Sequence, residues 1–131
     1  MGLSLADVYL IHPGEDWKET RNILQPDLFI VCDPSKIHDR GCFGAPDLVV
    51  EVRSPSTAAK DVGIKRDLYE EYGVKELWIV HPVEGTITEH ILENEKYRIL
   101  QLYAKGQIVQ SLTFPDLRVD LEEVFNEDQL H

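Results

Sequence analysis

In the stretch "GAPDLVVEVRSPS", residues 44–56, two carboxylates, Asp47 and Glu51, bracket the apolar step Leu-Val-Val. A carboxylate inside such a run is expensive unless it is paired or metal-bound. Hard divalent cations such as Mg²⁺ take carboxylate oxygens as ligands. The tripeptide Pro-Asp-Leu occurs at 26–28 as well, and again at 115–117. The chemistry therefore turns on which of Asp27, Asp47, Glu51 and Asp116 act together and which only turn the chain.

Two cations accompany these acids. Arg53 follows Glu51 by two residues, on the same strand face, and Lys65 lies one helical turn before Tyr69. A lysine near a metal and a scissile phosphate can position or deprotonate the attacking water and stabilise developing charge. The plainer roles are an ion pair of Lys65 with Asp61 and a salt bridge of Arg53 with Glu51. Tyr69 reads as a half-buried amphipathic side chain. The five histidines, His12, His38, His81, His90 and His131, have no His-x-x-x-His spacing and there is no Cys-x-x-Cys, which argues against a zinc site. A Gly-rich phosphate loop and a Gly-x-Ser-x-Gly elbow are also absent from the sequence.

The elements that must carry these residues follow from apolar periodicity and turn residues. "ADVYLIH" (6–12) reads as a strand and 13–25 as a polar excursion. "DLFIVC" (27–32) and "DLVVEV" (47–52) are nearly continuous apolar strands, separated by a loop rich in Gly, Pro and Asp. Ser56 or Thr57 can cap a helix that ends at Gly73. A third buried strand, "KELWIVHP" (75–82), leads through turns at 84–85 and 93–96 into strands 86–92 and 97–106, and 107–114 continues that antiparallel meander. Asp120 with Glu123 resembles a capping box opening "LEEVF". The order predicts an α/β (α+β) fold with a mixed central sheet, a flanking helix and an antiparallel C-terminal meander.

Strand geometry then sorts the acids. Asp47 and Glu51 share a face, but four residues along a strand is about 13 Å, too far to share one ion. If 27–32 and 46–51 pair antiparallel with paired indices summing to 78, Asp27 sits opposite Glu51, with Cβ atoms about 5 Å apart. A one-residue slip would destroy that facing. The alternative is that each acid caps a strand end or pairs with Arg53. Asp116, followed by Leu117, Val119 and Leu121, reads as a turn residue.

The length of 131 residues predicts one domain spanning 1–131. Thirteen Lys and Arg against 24 Asp and Glu give a net charge of -11, with no basic run. That argues against a plain nucleic-acid-binding module, and less against a metal-dependent nuclease, since a bound divalent ion inverts the local electrostatics. No apolar run reaches the roughly 20 residues of a membrane span, and the N-terminus lacks a signal-peptide pattern. Cys32 and Cys42 read as reduced thiols of a cytoplasmic protein.

Taken in order, "QPDLFIV", a loop, "GAPDLVVEVRSPST", Lys65 and "YEEYGVKELWIVHP" closely resemble the Uma-type family of restriction-endonuclease-like proteins, over residues 5 to 125. The resemblance implies a PD-(D/E)XK nuclease-like fold with a divalent metal on strand carboxylates. Residue by residue, Asp27 matches the first Pro-Asp of the family, Asp47 the second and Glu51 the acid of the next strand. Lys65 matches a helix lysine standing in for that of Glu-x-Lys. Two departures accompany it. The chain begins close to the strand "ADVYLIH", where longer members carry a further helix and acid. Arg53 and His81 replace an apolar residue and an Asp, and Arg53 makes an imitation Glu-x-Lys. The function this implies is Mg²⁺- or Mn²⁺-dependent phosphodiester hydrolysis of nucleic acid, DNA foremost, with Asp27, Glu51 and Asp47 toward the metal and Lys65 and Arg53 toward the phosphate. The rival reading is a catalytically silent nuclease fold serving homodimerisation through an apolar edge strand of the 86–114 meander.

Overall fold

The computed structural model describes residues 2–4, 6–54 and 59–125. Its centre is a six-stranded mixed sheet in the order β1 (Gly2–Ser4), β4 (Leu28–Val31), β7 (Leu48–Val52), β8 (Glu76–His81), β9 (Thr86–Glu93) and β10 (Lys96–Ala104). Within this sheet, among the described residues, only β7 and β8 pair parallel. Parallel neighbours need a crossover, and the helix α1 (Ala59–Tyr72) supplies it. The expected helix cap at Ser56 or Thr57 lies outside the described residues. The C-terminal stop is as expected: Gly73 takes φ +85°. Its N–H donates to Glu70 O at 3.3 Å and that of Val74 to Tyr69 O at 3.0 Å, the paired bonds of a Schellman cap.

The strands read as unbroken apolar runs because both sheet faces are covered. Alternate side chains divide between two cores. Phe29, Val31, Val49, Leu77 and Ile79 pack with Tyr69 and Val74, and with Val8, Leu10 and Cys42. Ile30, Leu48, Trp78 and Ile87 pack on the opposite side with Val109, Leu121 and Phe125. The hairpin from β9 to β10 turns at Asn94 and Glu95, both at positive φ, 53° and 66°, as a two-residue hairpin turn requires.

Two expectations need correction. The segment 33–45 is not plain loop. After a 3-10 turn at Pro34–Lys36, β5 (Ile37–His38) and β6 (Gly41–Phe43) join β2 (Val8–Tyr9) and β3 (Ile23–Leu24) in a second sheet, ordered β3-β2-β6-β5. Its strands are two or three residues long, too short to show a period. The strand expected over 6–12 is accordingly only Val8–Tyr9. Nor does 107–114 extend the meander. A turn in which Gln107 N–H donates to Ala104 O at 3.1 Å carries the chain away, and β11 (Ile108–Gln110) pairs with β12 (Arg118–Asp120) in a separate ribbon. That ribbon covers the sheet face that would otherwise expose Trp78 and Ile87. Asp120 caps the following α2 (Leu121–Val124), its side chain accepting from Glu122 N. Asp116 is exposed and belongs to the turn before β12, as the sequence suggests. Among the described residues no helix is long and apolar enough to cross a membrane.

The small sheet is held by a close backbone approach. Cys42 N–H donates to Asp7 O at 2.9 Å, and Gly41 sits at φ +139° with its Cα hydrogen facing that same carbonyl. A Cβ there would run into Asp7 O. Gly41→Ala should therefore cost about 2 kcal/mol or more, read as a lowered midpoint of urea unfolding with an unchanged slope.

Candidate active site

The register places the acids. Leu28 pairs with Val50, Phe29 with Val49 and Ile30 with Leu48, antiparallel, so paired indices sum to 78 as the facing of Asp27 and Glu51 demands. Side chains confirm the juxtaposition. Asp27 N–H donates to Glu51 Oε1 at 3.1 Å, and Val52 N–H donates to Asp27 Oδ2 at 2.7 Å. Odd-numbered residues of β7 face α1, so Glu51 lies under the helix, where residues one turn apart reach it together. Lys65 Nζ stands 3.2 Å from Glu51 Oε2, and the Tyr69 hydroxyl donates to that same oxygen at 3.2 Å. Lys65 thus bridges to the strand acid and not to Asp61.

Glu51 is 5% exposed, and burial pushes its carboxyl above the usual range against the pull of Lys65 and of the Asp27 N–H. Burial and the neighbouring Glu51 drive the Tyr69 phenol upward, so it stays a neutral donor. Asp27 by contrast is exposed, and its Oδ1 accepts no hydrogen bond from a described residue. One buried and one open carboxylate therefore meet beside a half-exposed ammonium.

Asp47 occupies the opposite end of β7. Its Oδ2 accepts from Cys32 N–H at 2.8 Å and its Oδ1 pairs with Lys75 Nζ at 3.5 Å. Both oxygens serve strand ends, and Asp47 does not join Asp27 and Glu51. Arg53 follows β7, half-buried, with its N–H on Val80 O at 2.8 Å; among the described residues its guanidinium forms no ion pair with Glu51. No cluster of three or more His, Cys, Asp or Glu suited to a metal occurs among the described residues. Of the three acids, the fold brings Asp27 and Glu51 to one strand end and leaves Asp47 at the other.

Tyr69, expected to be half-buried, is fully buried and donates to Glu51; its spacing from Lys65 already placed it on the same helix face. Sequence reasoning passed over two further acids. Glu76 and Glu89, both 0% exposed, lie on the other side of the sheet. Glu89 is in phase with the inward Ile87 and Ile91, and Glu76 with Trp78, a period-two signal that marks both as buried.

The site is thus an acid pair at strand ends, under the helix that joins the two parallel strands of a mixed sheet. The family model described as "Uma2: Putative restriction endonuclease" matches residues 4–122, and the chain belongs to that family. A crystal structure of "a putative nuclease belonging to DUF820" from Anabaena variabilis ATCC 29413 has a similar fold, with a TM-score of 0.62 and 19% identity over 79% of this chain. The match spans 60% of that protein's length. No curated protein matches the sequence.

Tyr69→Phe removes one donor from a buried carboxylate while keeping the ring. It should lower stability by about 1–2 kcal/mol, measured by urea unfolding.

Proposed function

We propose that the chain is a metal-dependent endonuclease of the PD-(D/E)XK type, hydrolysing phosphodiester bonds of nucleic acid. The observation that supports this most is the meeting of Asp27, Glu51 and Lys65, three residues far apart in sequence, at one strand end. The donors suit a hard divalent cation. Both are carboxylates, they face across an antiparallel pair, Asp27 is open to solvent, and buried Glu51 gains from a nearby positive charge. Asp27 and Glu51 would hold Mg²⁺ or Mn²⁺. When bound, such an ion supplies Lewis-acid activation of water and neutralises charge at phosphorus.

The chain's own residues supply the rest. Tyr69 fixes the Glu51 carboxylate from below, leaving its rotamer little freedom. Lys65, 37% exposed while in contact with Glu51, can turn its ammonium to a non-bridging phosphate oxygen, donating where charge develops. Arg53 adds a cation at the end of the same strand. Asp47 acts as a structural clamp for the strands and not as a ligand, which departs from the role that family resemblance gives it.

A second reading is supported by the open edge of the sheet. On β10, Ile99 and Leu102 are each 58% exposed, and an apolar edge strand invites pairing with another chain. In that reading the fold is a catalytically silent dimerisation domain.

The two readings separate cleanly. For the nuclease, calorimetry should show Mn²⁺ binding that Asp27→Ala and Glu51→Ala abolish and Asp47→Ala only weakens. Lys65→Ala should keep binding but lose about 100-fold or more in the rate of oligonucleotide cleavage. Wild-type protein that binds no Mn²⁺, yet runs on gel filtration as a dimer of the 15.0 kDa chain, would favour the silent domain.

A further inference from the structure

The second pair of acids lies where no solvent reaches. Glu76 on β8 and Glu89 on β9 are both 0% exposed. Trp78 is the register partner of Glu89, so Glu76 and Glu89 are diagonal neighbours on one sheet face, within reach of long side chains. Neither forms an ion pair with a described cation. Glu76 is a full acceptor. Trp78 Nε1 donates to its Oε2 at 2.6 Å, and Ser111 Oγ and Thr113 N–H donate to its Oε1 at 2.8 and 2.9 Å. Glu89 Oε1 accepts from the Tyr103 hydroxyl at 3.2 Å, while its buried Oε2 has no partner among the described residues.

Two carboxylates this close in a dry core cannot both be ionised without a cation. A proton on Glu89 gives its orphan oxygen a partner and leaves Glu76 charged to receive all its donors. We infer that Glu76 and Glu89 hold one proton between them, carried by Glu89 and donated to Glu76, and that this shared proton latches the β11–β12 ribbon and α2 onto the sheet. The ribbon is tied at the latch itself, since Ser111 and Thr113 end on Glu76. Its Val109, Leu121 and Phe125 then cover Trp78 and Ile87. Among the described residues, the titratable groups facing Glu89 are Glu76 from β8 and Tyr103 from β10; the ribbon adds the Leu112 N–H toward Glu89 and the Ser111 hydroxyl and Thr113 N–H toward Glu76.

The electrostatics agree with the geometry. Burial, helped by the hydrogen bond and charge of Glu76, pushes Glu89 up to about 7. Glu76 is held below its ordinary value: burial opposes this, but hydrogen bonds from Glu89, Thr113 and Trp78 outweigh it. Because Glu89 titrates higher in the folded than in the unfolded chain, where 4.5 is ordinary, its contribution is complete below pH 4.5. It declines as pH rises toward 7 and is lost above that. With the proton gone, two like charges share the core and the ribbon is expelled.

The test compares the wild type with Glu89→Gln, which keeps a donor toward Glu76 but has nothing to titrate. In urea unfolding, the ratio of their unfolding constants should rise about tenfold per pH unit between pH 5 and 7 and then level off. The chain has two tryptophans, so in a Trp17→Phe background Trp78 alone reports the latch. Its quenching by acrylamide should increase from pH 5 to 8, and should not in the Glu89→Gln variant of that background. A ratio independent of pH would sink the shared proton. A Trp78 equally shielded at both ends of the range would sink the latch. Should Glu89→Gln not fold, infrared spectroscopy of the wild type decides: the native protein at pH 6 must show a protonated carboxyl band that disappears on unfolding, and its absence overturns the inference.

Discussion

The antiparallel register of β4 with β7 is the constraint on which the rest depends. It is pinned at both ends by the same device. Each of the first two Pro-Asp-Leu steps opens a strand, and its Asp carboxylate reaches across to an N–H at the end of the neighbouring strand: Asp27 to Val52, the last residue of β7, and Asp47 to Cys32, just past β4. The two bonds are related by near-twofold symmetry about the middle of the strand pair. Their remaining oxygens differ. Asp47 is neutralised by Lys75, whereas Asp27 keeps an oxygen toward solvent and has Glu51 beside it. One repeated tripeptide thus yields a strand clamp at one end and a candidate ligand at the other. Shifting the register by one residue would turn Asp27 and every apolar neighbour to the wrong face.

The same sheet buries acids on both faces and solves the two cases differently. Glu51 is approached by Lys65 from a helix that also meets water, so its charge is balanced by a cation that can leave. Among the described residues Glu76 meets no cation but hydrogen-bond donors and a second acid, and it sits beneath a ribbon that excludes solvent. Both arrangements answer the cost of burying a carboxylate. Only the first leaves a path for an outside ion or phosphate, which is why chemistry is assigned there and mechanical work to the other.

Much of this was legible in the sequence because it rests on local rules. Alternation and apolar runs gave β4, β7, β8 and the β9–β10 hairpin, Gly73 gave the helix end, and helical spacing put Lys65 beside Tyr69. The register supposed in order to set Asp27 opposite Glu51 is the one the strands adopt. What escaped depends on tertiary placement. The strands of the small sheet are too short for a period, and their pairing rests on the close approach of Gly41 to Asp7. The departure of β11 from the meander reflects the need to cover Trp78 and Ile87, which no local pattern encodes. Asp61 and Lys65 have ideal helical spacing, yet Lys65 turns to Glu51, because a buried carboxylate gains more from a cation than an exposed one does.

The net charge of -11 is the feature least suited to a nucleic-acid substrate, and the structure shows what many of those acids are for. Glu15, Asp16, Asp33 and Asp120 accept backbone N–H groups at turns and caps, Glu70 accepts from Tyr97 N–H, and Asp27 and Asp47 clamp strands. A carboxylate is the strongest acceptor available for an orphan N–H, so a chain built of short strands and tight turns accumulates negative charge for structural reasons. The cost falls on long-range attraction to phosphate, which such a surface weakens. Any affinity must then come from short range, where Lys65, Arg53 and a divalent ion on Asp27 and Glu51 would reverse the local sign. The acidity therefore bears on how fast a polyanion would arrive, and the strand end on whether it would be cleaved.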